Sequence, residues 1–260
     1  AKRKVSQNRM SIIEENNLRD TYLAEYEGDE VTQNFLNAAQ NYPRLKGVPT
    51  NSYKCFLPQG WMIGEDDGVT AFLHPEGVYD DSKGGKFREN LYSRLHGHYQ
   101  FVNELDLFAD VHHQTKFSVN VYQNAPQNKV HFTNIVNLYT PKTIDVCFNH
   151  DGSGPVPGIK NENHDWNTEG HAQRIVTVDD DALDLFATLY DEEGTPPREA
   201  RLSAVHSQQV LEVLRRFAEQ PQRLGDLEDE YITMEMWHET NAQEDGTIER
   251  DTQFIDEVEN

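Results

Sequence analysis

Between residues 69 and 123 the spacing of apolar residues changes period repeatedly, and that alternation decides the fold class. VTAFLH (69–74) is a short apolar run after Gly68, which predicts a buried strand. KFRENLYSRLHGH (86–98) returns to helical spacing, with Phe87, Leu91 and Leu95 recurring at steps of four. FVNELDLF (101–108) and KFSVNVYQ (116–123) alternate as strands do. The order predicts an α/β fold: a parallel sheet with helical crossovers and one antiparallel edge or insert.

The flanks extend this reading. Ser11 and Glu14 form a capping box that opens an amphipathic stretch with Ile12, Leu18, Tyr22 and Tyr26 inward. A second helix is expected over 30–41, with Val31, Phe35 and Ala39 on one face and Pro43 as its stop. A third, starting near Thr50, gathers Tyr53, Phe56 and Leu57. Beyond Pro126, VHFTNIVNLY and KTIDVCF read as two more strands and GSGPVPGIK as a Gly/Pro loop that continues, polar, through Trp166. Helices follow at 180–191, capped by Asp179 or Asp180, and at 203–219, capped by Ser203. Residues 220–260 are acidic and poorly periodic. The expected division is into domains 1–125 and 126–260, with no internal repeat.

Charge narrows the function classes. The 260 residues carry 45 acidic and 23 basic side chains, a net charge of −22. Residues 1–130 hold −3 of it and residues 131–260 hold −19. An ordinary basic DNA-binding module is excluded by that balance, because phosphate contacts need Lys and Arg. With 10 Lys against 13 Arg, the surface suits either adaptation to high salt or plain solvation. The 12 Phe, 11 Tyr and 3 Trp are enough for a real core. No apolar run is long enough to span a membrane, and the basic start AKRKVSQNRM lacks the apolar stretch of a secretory signal. Cys55 and Cys147 match no metal or redox spacing, so a reduced cytoplasmic compartment is expected. A first residue other than Met and the acidic ending FIDEVEN suggest a fragment of something longer.

Four features carry candidate chemistry. GSGPVPGIK lacks the spacing and hydroxyl of a phosphate-binding loop, and an ordered structural loop is expected. His96, His98, His112, His113 and His131 have no nearby cysteines, and adjacent residues on a strand face opposite ways; loop histidines touching backbone or substrate are expected rather than a metal site. MEMWHET (234–240), with Glu235, His238 and Glu239, lacks the paired histidines of a zincin, so Trp237 reads as a structural anchor. The fourth is a constellation: NSYKCFL (51–57), a Gly-flanked strand ending in His74 and Pro75, the helix start Gly84-Gly85-Lys86-Phe87-Arg88 reaching Leu91, and LFADVHHQTKFSVNV (107–121).

That constellation resembles the second half of the catalytic domain of amino-methylating DNA methyltransferases. It is most similar to the adenine-specific group found in large restriction-modification enzymes and in phage-defence systems such as DISARM. Asn51, Tyr53 and Phe56 match the family's N-x-Y-x-x-F helix after its catalytic loop; Pro75 matches the proline that ends the next strand; Phe87, Arg88 and Leu91 match its L-R-x-x-L helix. Phe108 matches the aromatic that packs on the extruded base, and 116–122 the strand of the final β-hairpin. The likeness is good over about 50–122 and fainter over 126–260.

The resemblance implies the second half of a Rossmann-like methyltransferase sheet with a terminal β-hairpin, followed by a mixed α+β region that starts target recognition. It implies transfer of a methyl group from S-adenosylmethionine to adenine N6 in double-stranded DNA, in company with other subunits of a defence system. It assigns target-base stacking to Phe108, cofactor-side or catalytic-loop support to Asn51 and Tyr53, and phosphate contact to Lys86 and Arg88 in the locally basic stretch 83–94. The family's Gly-rich loop and N-P-P-aromatic loop do not occur in these residues, so no catalytic residue and no metal ligand is assigned, and the chain by itself is expected to be inactive. Two other classes stay open: a non-catalytic DNA-recognition or scaffold protein of such a system, and a metal-dependent hydrolase with a histidine-lined site.

Overall fold

The computed structural model describes residues 10–48, 51–220, 226 and 239–248. The chain divides into a unit Ala1–Glu219 and a unit Gln220–Asn260, of which the second shows helix α8 (Glu239–Glu244). Glu235, Trp237 and His238 lie outside the described residues.

The first unit is built on five strands: β1 (Val69–Pro75), β2 (Leu95–Val102), β3 (Lys116–Gln123), β4 (His131–Leu138) and β5 (Val176–Asp179). Their order is β1-β3-β2-β4-β5, in one mixed α/β sheet. β3 lies antiparallel between β1 and β2, β2 and β4 are parallel, and β5 is antiparallel to β4. The expected boundary at 125 therefore falls between two strands of one sheet. Helices α1 (Arg19–Asn37), α2 (Ser52–Ile63), α3 (Gly77–Asp80), α4 (Gly85–Tyr92), α5 (Lys142–Asn149), α6 (Asp180–Tyr190) and α7 (Gln208–Ala218) complete the unit.

The main core joins one sheet face to helices: Leu57 and Trp61 of α2, Phe87 and Leu91 of α4, and Leu183 and Phe186 of α6 meet Leu95, Tyr122, Phe132 and Val178. Gly60 lets α2 approach β1, since a Cβ there would lie 2.6 Å from the Phe72 ring. Asp179 caps α6 by accepting the Ala182 N–H at 2.9 Å, as one of the two expected aspartates. A smaller core on the opposite face packs Phe101, Phe117, Ile135 and Leu138 against Cys147.

Several expectations are corrected. β1 is an edge strand paired only with β3, and Val69 and Leu73 are exposed because no layer covers their face of the sheet. The helix expected over 86–98 stops at Tyr92, and Leu95 starts a central strand whose pairing with β3 and β4 overrides the four-residue spacing. The strand expected over 101–108 ends at Val102, where a 3-10 turn and a left-handed Asp106 (φ 51°) turn the chain away. KTIDVCF is helix α5: Thr140 and Pro141 accept the first amides, and Thr143 and Cys147 face inward one turn apart. Helix α7 starts at Gln208, so Ser203 lies before it in extended chain. Residue 10 is already helical, so Ser11 caps nothing; Ile12 and Leu18 ahead of α1 are exposed, and α1 itself buries no side chain, with Tyr22, Tyr26, Val31 and Phe35 exposed.

Candidate functional site at the carboxyl edge

In open α/β sheets ligands gather at the carboxyl ends of parallel strands. Here β1, β2 and β4 share a direction, and their carboxyl ends lead into residues 76–84, 103–115 and 139–141.

The loop after β2 is apolar and exposed: Leu105, Leu107, Phe108 and Val111 are all at least one-third accessible, Phe108 at 42%. An apolar loop keeps such a shape only if its backbone is held. Asn103, fully buried, does this. Its Oδ1 accepts the Phe108 N–H at 3.0 Å, and its Nδ2 donates to the carbonyls of Phe108 (2.9 Å) and Val111 (2.7 Å). The Phe108 ring stands edge-on to Phe117, centroids 5.1 Å apart. His113 and Glu104 close the loop's flank at 2.9 Å.

Behind this edge the sheet buries a polar stripe. His74, Ser118 and Gln100 stand side by side on three strands; Asn120, His98 and Asn134 form the next row. Glu76 closes over them: Gln100 Nε2 donates to its Oε2 at 2.7 Å, and His98 Nε2 lies 3.2 Å from its Oε1. Burial alone raises the Glu76 carboxyl, but the His98 charge and hydrogen bonds from His98, Gln100 and Ser118 outweigh it and bring it down to about 2. His98 Nδ1 meets Asn134 Oδ1 at 2.6 Å while Asn134 Nδ2 has no partner. Tyr79 donates to Asn120 at 2.5 Å, and His74 meets the Tyr122 hydroxyl at 3.0 Å. Beside the stripe a cavity of about 270 Å³ is lined by Asp80, Gln100, Lys116, Arg201 and Ser203.

The residues expected to act are not gathered in one place. Asn51 caps α2, accepting the Tyr53 N–H at 3.4 Å. Tyr53 stacks on His74 with centroids 5.5 Å apart; burial pushes its phenol up to about 12, against a hydrogen bond with the Val78 backbone. Asn51 is thus spent on its helix cap and Tyr53 on packing against His74, and neither offers a cradle for S-adenosylmethionine. Phe56 of the same helix points outward. Arg88 is buried and spends its guanidinium on the carbonyls of Asp81 and Glu199, which takes it away from any phosphate. Lys86 is exposed and pairs with Glu89 and Glu199.

The histidines also divide differently from expectation. His98 is a buried strand residue; His96 and His131 lie on strands, exposed, and His112 and His113 are in the loop after β2. Among the described residues no group of three His, Cys, Asp or Glu is arranged to hold a metal. Within residues 152–160 Gly152 and Gly154 are left-handed (φ 83° and 81°), and Lys160 sits over the Trp166 ring. Arg174, fully buried, ties this region to β4 through the carbonyls of Glu169 and Val136. Sequence reasoning missed Asn103, Glu76, Asn120, Asn134 and Arg174. The alternating polar residues of SVNVYQ and HFTNIVNL were the available signal, but a solvent-facing strand side has the same pattern.

No family model matches the chain, and no curated protein does. Among solved structures the chain is similar to the M protein of the type I restriction enzyme EcoKI, at 14% identity and a TM-score of 0.36 over 70% of this chain. The match spans 48% of that protein's length. Among the described residues no helix is long and apolar enough to cross a membrane.

Proposed function

We propose that this chain is part of a DNA adenine-N6 methyltransferase of a restriction-modification or phage-defence system, and that its share of the reaction is to receive the extruded adenine. The observation that carries this reading is the Phe108 ring, exposed on a loop fixed at the carboxyl edge of the sheet. An amino group inside a duplex is out of reach of any active site, and extrusion costs a few kcal/mol that stacking on an aromatic face offsets by about 1–3 kcal/mol. The antiparallel pairing of β2 with β3 gives further support, since the family resemblance implies a β-hairpin that uses 116–122. S-adenosylmethionine is the methyl donor in this reading, held by the Gly-rich and N-P-P-aromatic loops that these 260 residues lack. Double-stranded DNA and other subunits of the system are the partners, and Lys86 is the exposed basic residue able to turn toward a phosphate.

The test is the affinity of the chain, at low salt, for a duplex with one unpaired, bulged adenine against the same duplex fully paired. The wild type is expected to prefer the bulged duplex, and Phe108→Ala to lose about 1–3 kcal/mol of that preference. Equal affinity of the wild type for both duplexes, or an unchanged preference in the variant, removes the stacking role.

A further inference from the structure

We infer that Asn103 is the positioning residue of the base-receiving loop: it holds Phe108 in place for a flat, aromatic ligand without touching that ligand. The inference rests on the stacking role proposed for Phe108. Residues 104–115 leave the sheet and return to it, and one buried side chain bonds both backbone groups of the residue that carries the ring. The same carboxamide reaches the Val111 carbonyl, and the Val111 N–H donates to the Phe108 carbonyl at 3.2 Å. At its base, the Asn103 N–H donates to the Thr115 carbonyl at 3.1 Å and its own carbonyl accepts from Asp106 at 2.9 Å. The loop's two halves are therefore tied to each other and to the end of β2.

The chemistry selects asparagine. The position needs one acceptor and two donors on a short side chain, and only a carboxamide supplies both. Aspartate keeps the acceptor for the Phe108 N–H but turns an anion toward two carbonyl oxygens. Held as it is, the ring needs no ordering when a base arrives, so stacking is not offset by loop entropy. Leu105, Leu107 and Val111 are further exposed apolar side chains of the same loop.

Two measurements on the 260-residue chain separate this inference from the reading beneath it. The first is amide hydrogen exchange. In the wild type the Phe108 and Val111 amides are expected to be protected, although the Phe108 side chain is exposed, while the neighbouring Leu107 and Asp110 amides exchange freely. N103D at neutral pH should raise exchange at Phe108 and Val111 about tenfold or more. The second is preference for the bulged-adenine duplex, which N103D should reduce about fivefold or more, as F108A does. Lowering the pH should restore both protection and preference in N103D, because the introduced carboxyl regains one donor when protonated; the wild type should show no such recovery. An unprotected Phe108 amide in the wild type overturns the clamp, even if N103D does not fold. Faster exchange in N103D with full base preference overturns the positioning role. If F108A keeps its preference while N103D still loosens the loop, the stacking reading fails and the clamp stands as a structural feature only.

Discussion

The two faces of the sheet are dressed the opposite way round from what burial alone would select. The face toward α2, α4 and α6 is buried, yet across its middle it carries His74, Ser118, Gln100, Asn120, His98 and Asn134. The other face is apolar, yet beside β1 it leaves Val69, Ala71 and Leu73 exposed and Val119 and Val121 half-buried. The buried face tolerates its polar stripe because nearly every group finds a partner, with Glu76 accepting from three donors. Aromatics also pack along it: Tyr122 and Phe132 border it on the side away from Glu76, and Tyr79 stands edge-on to His98 at 4.7 Å. The open face keeps β-branched residues because cross-strand neighbours such as Leu73 and Val119 hold each other whether or not a layer lies above them. Polarity of a strand position thus says little about its burial here; hydrogen-bond partners and covering helices decide it.

The contrast between the faces depends most on Glu76. Glu76→Ala strips a partner from His98, Gln100 and Ser118 at once, all three of them buried. The expected loss is about 3–5 kcal/mol of folding stability, read from chemical denaturation. A loss below about 1 kcal/mol would mean that the stripe repacks or admits water, and the contrast would lose its basis.

The same group sharpens the contrast through pH. Its folded carboxyl, near 2, lies below an ordinary value of 4.5, so its stabilisation is fully present above that ordinary value and is lost as pH falls toward 2. The size of this contribution is about 3 kcal/mol. Glu76→Gln, which keeps an acceptor and cannot titrate, should flatten the acid limb of the stability curve between about pH 5 and pH 2. An acid limb as steep as that of the wild type would assign the acid sensitivity to the surface carboxylates instead.

Legibility in the sequence follows the same division. β3 and the strand of β4 were readable because their alternation coincides with their two-sided environment, and α6 because an aspartate cap precedes an apolar face. Residues 95–98 read as helix because Leu95 continues the helical spacing of Leu91, while the reason for a strand lies in partners 20 or more residues away. Phe108 is expected to act only through a family likeness, whereas Asn103 has no signal of its own, since one asparagine in a polar stretch carries no pattern. Its three bonds run to residues five and eight positions on, which only a folded loop brings together. Arg88 shows the converse: its basic stretch suggests a phosphate contact, while the Glu199 carbonyl that its guanidinium bonds lies 111 positions on and leaves no mark in the local sequence.

The smallest effect tests the open face. Leu73 is 55% exposed, and its neighbours on β1 lack a layer above them, so Leu73→Thr should change stability by no more than about 0.5 kcal/mol, with a β-branched residue keeping the strand propensity. Ile135, on the same face but beneath α5 and fully buried, is the control: Ile135→Ala should cost about 2–5 kcal/mol. The pair separates two explanations of exposed apolar strands. If Leu73→Thr is nearly neutral while Ile135→Ala is costly, the face is divided, closed at the α5 end and open at β1. If Leu73→Thr costs as much as a core substitution, something covers β1 in solution. Sedimentation of both proteins would then show whether a second copy does so, because an unpaired edge strand with apolar side chains is a ready surface for strand-to-strand association.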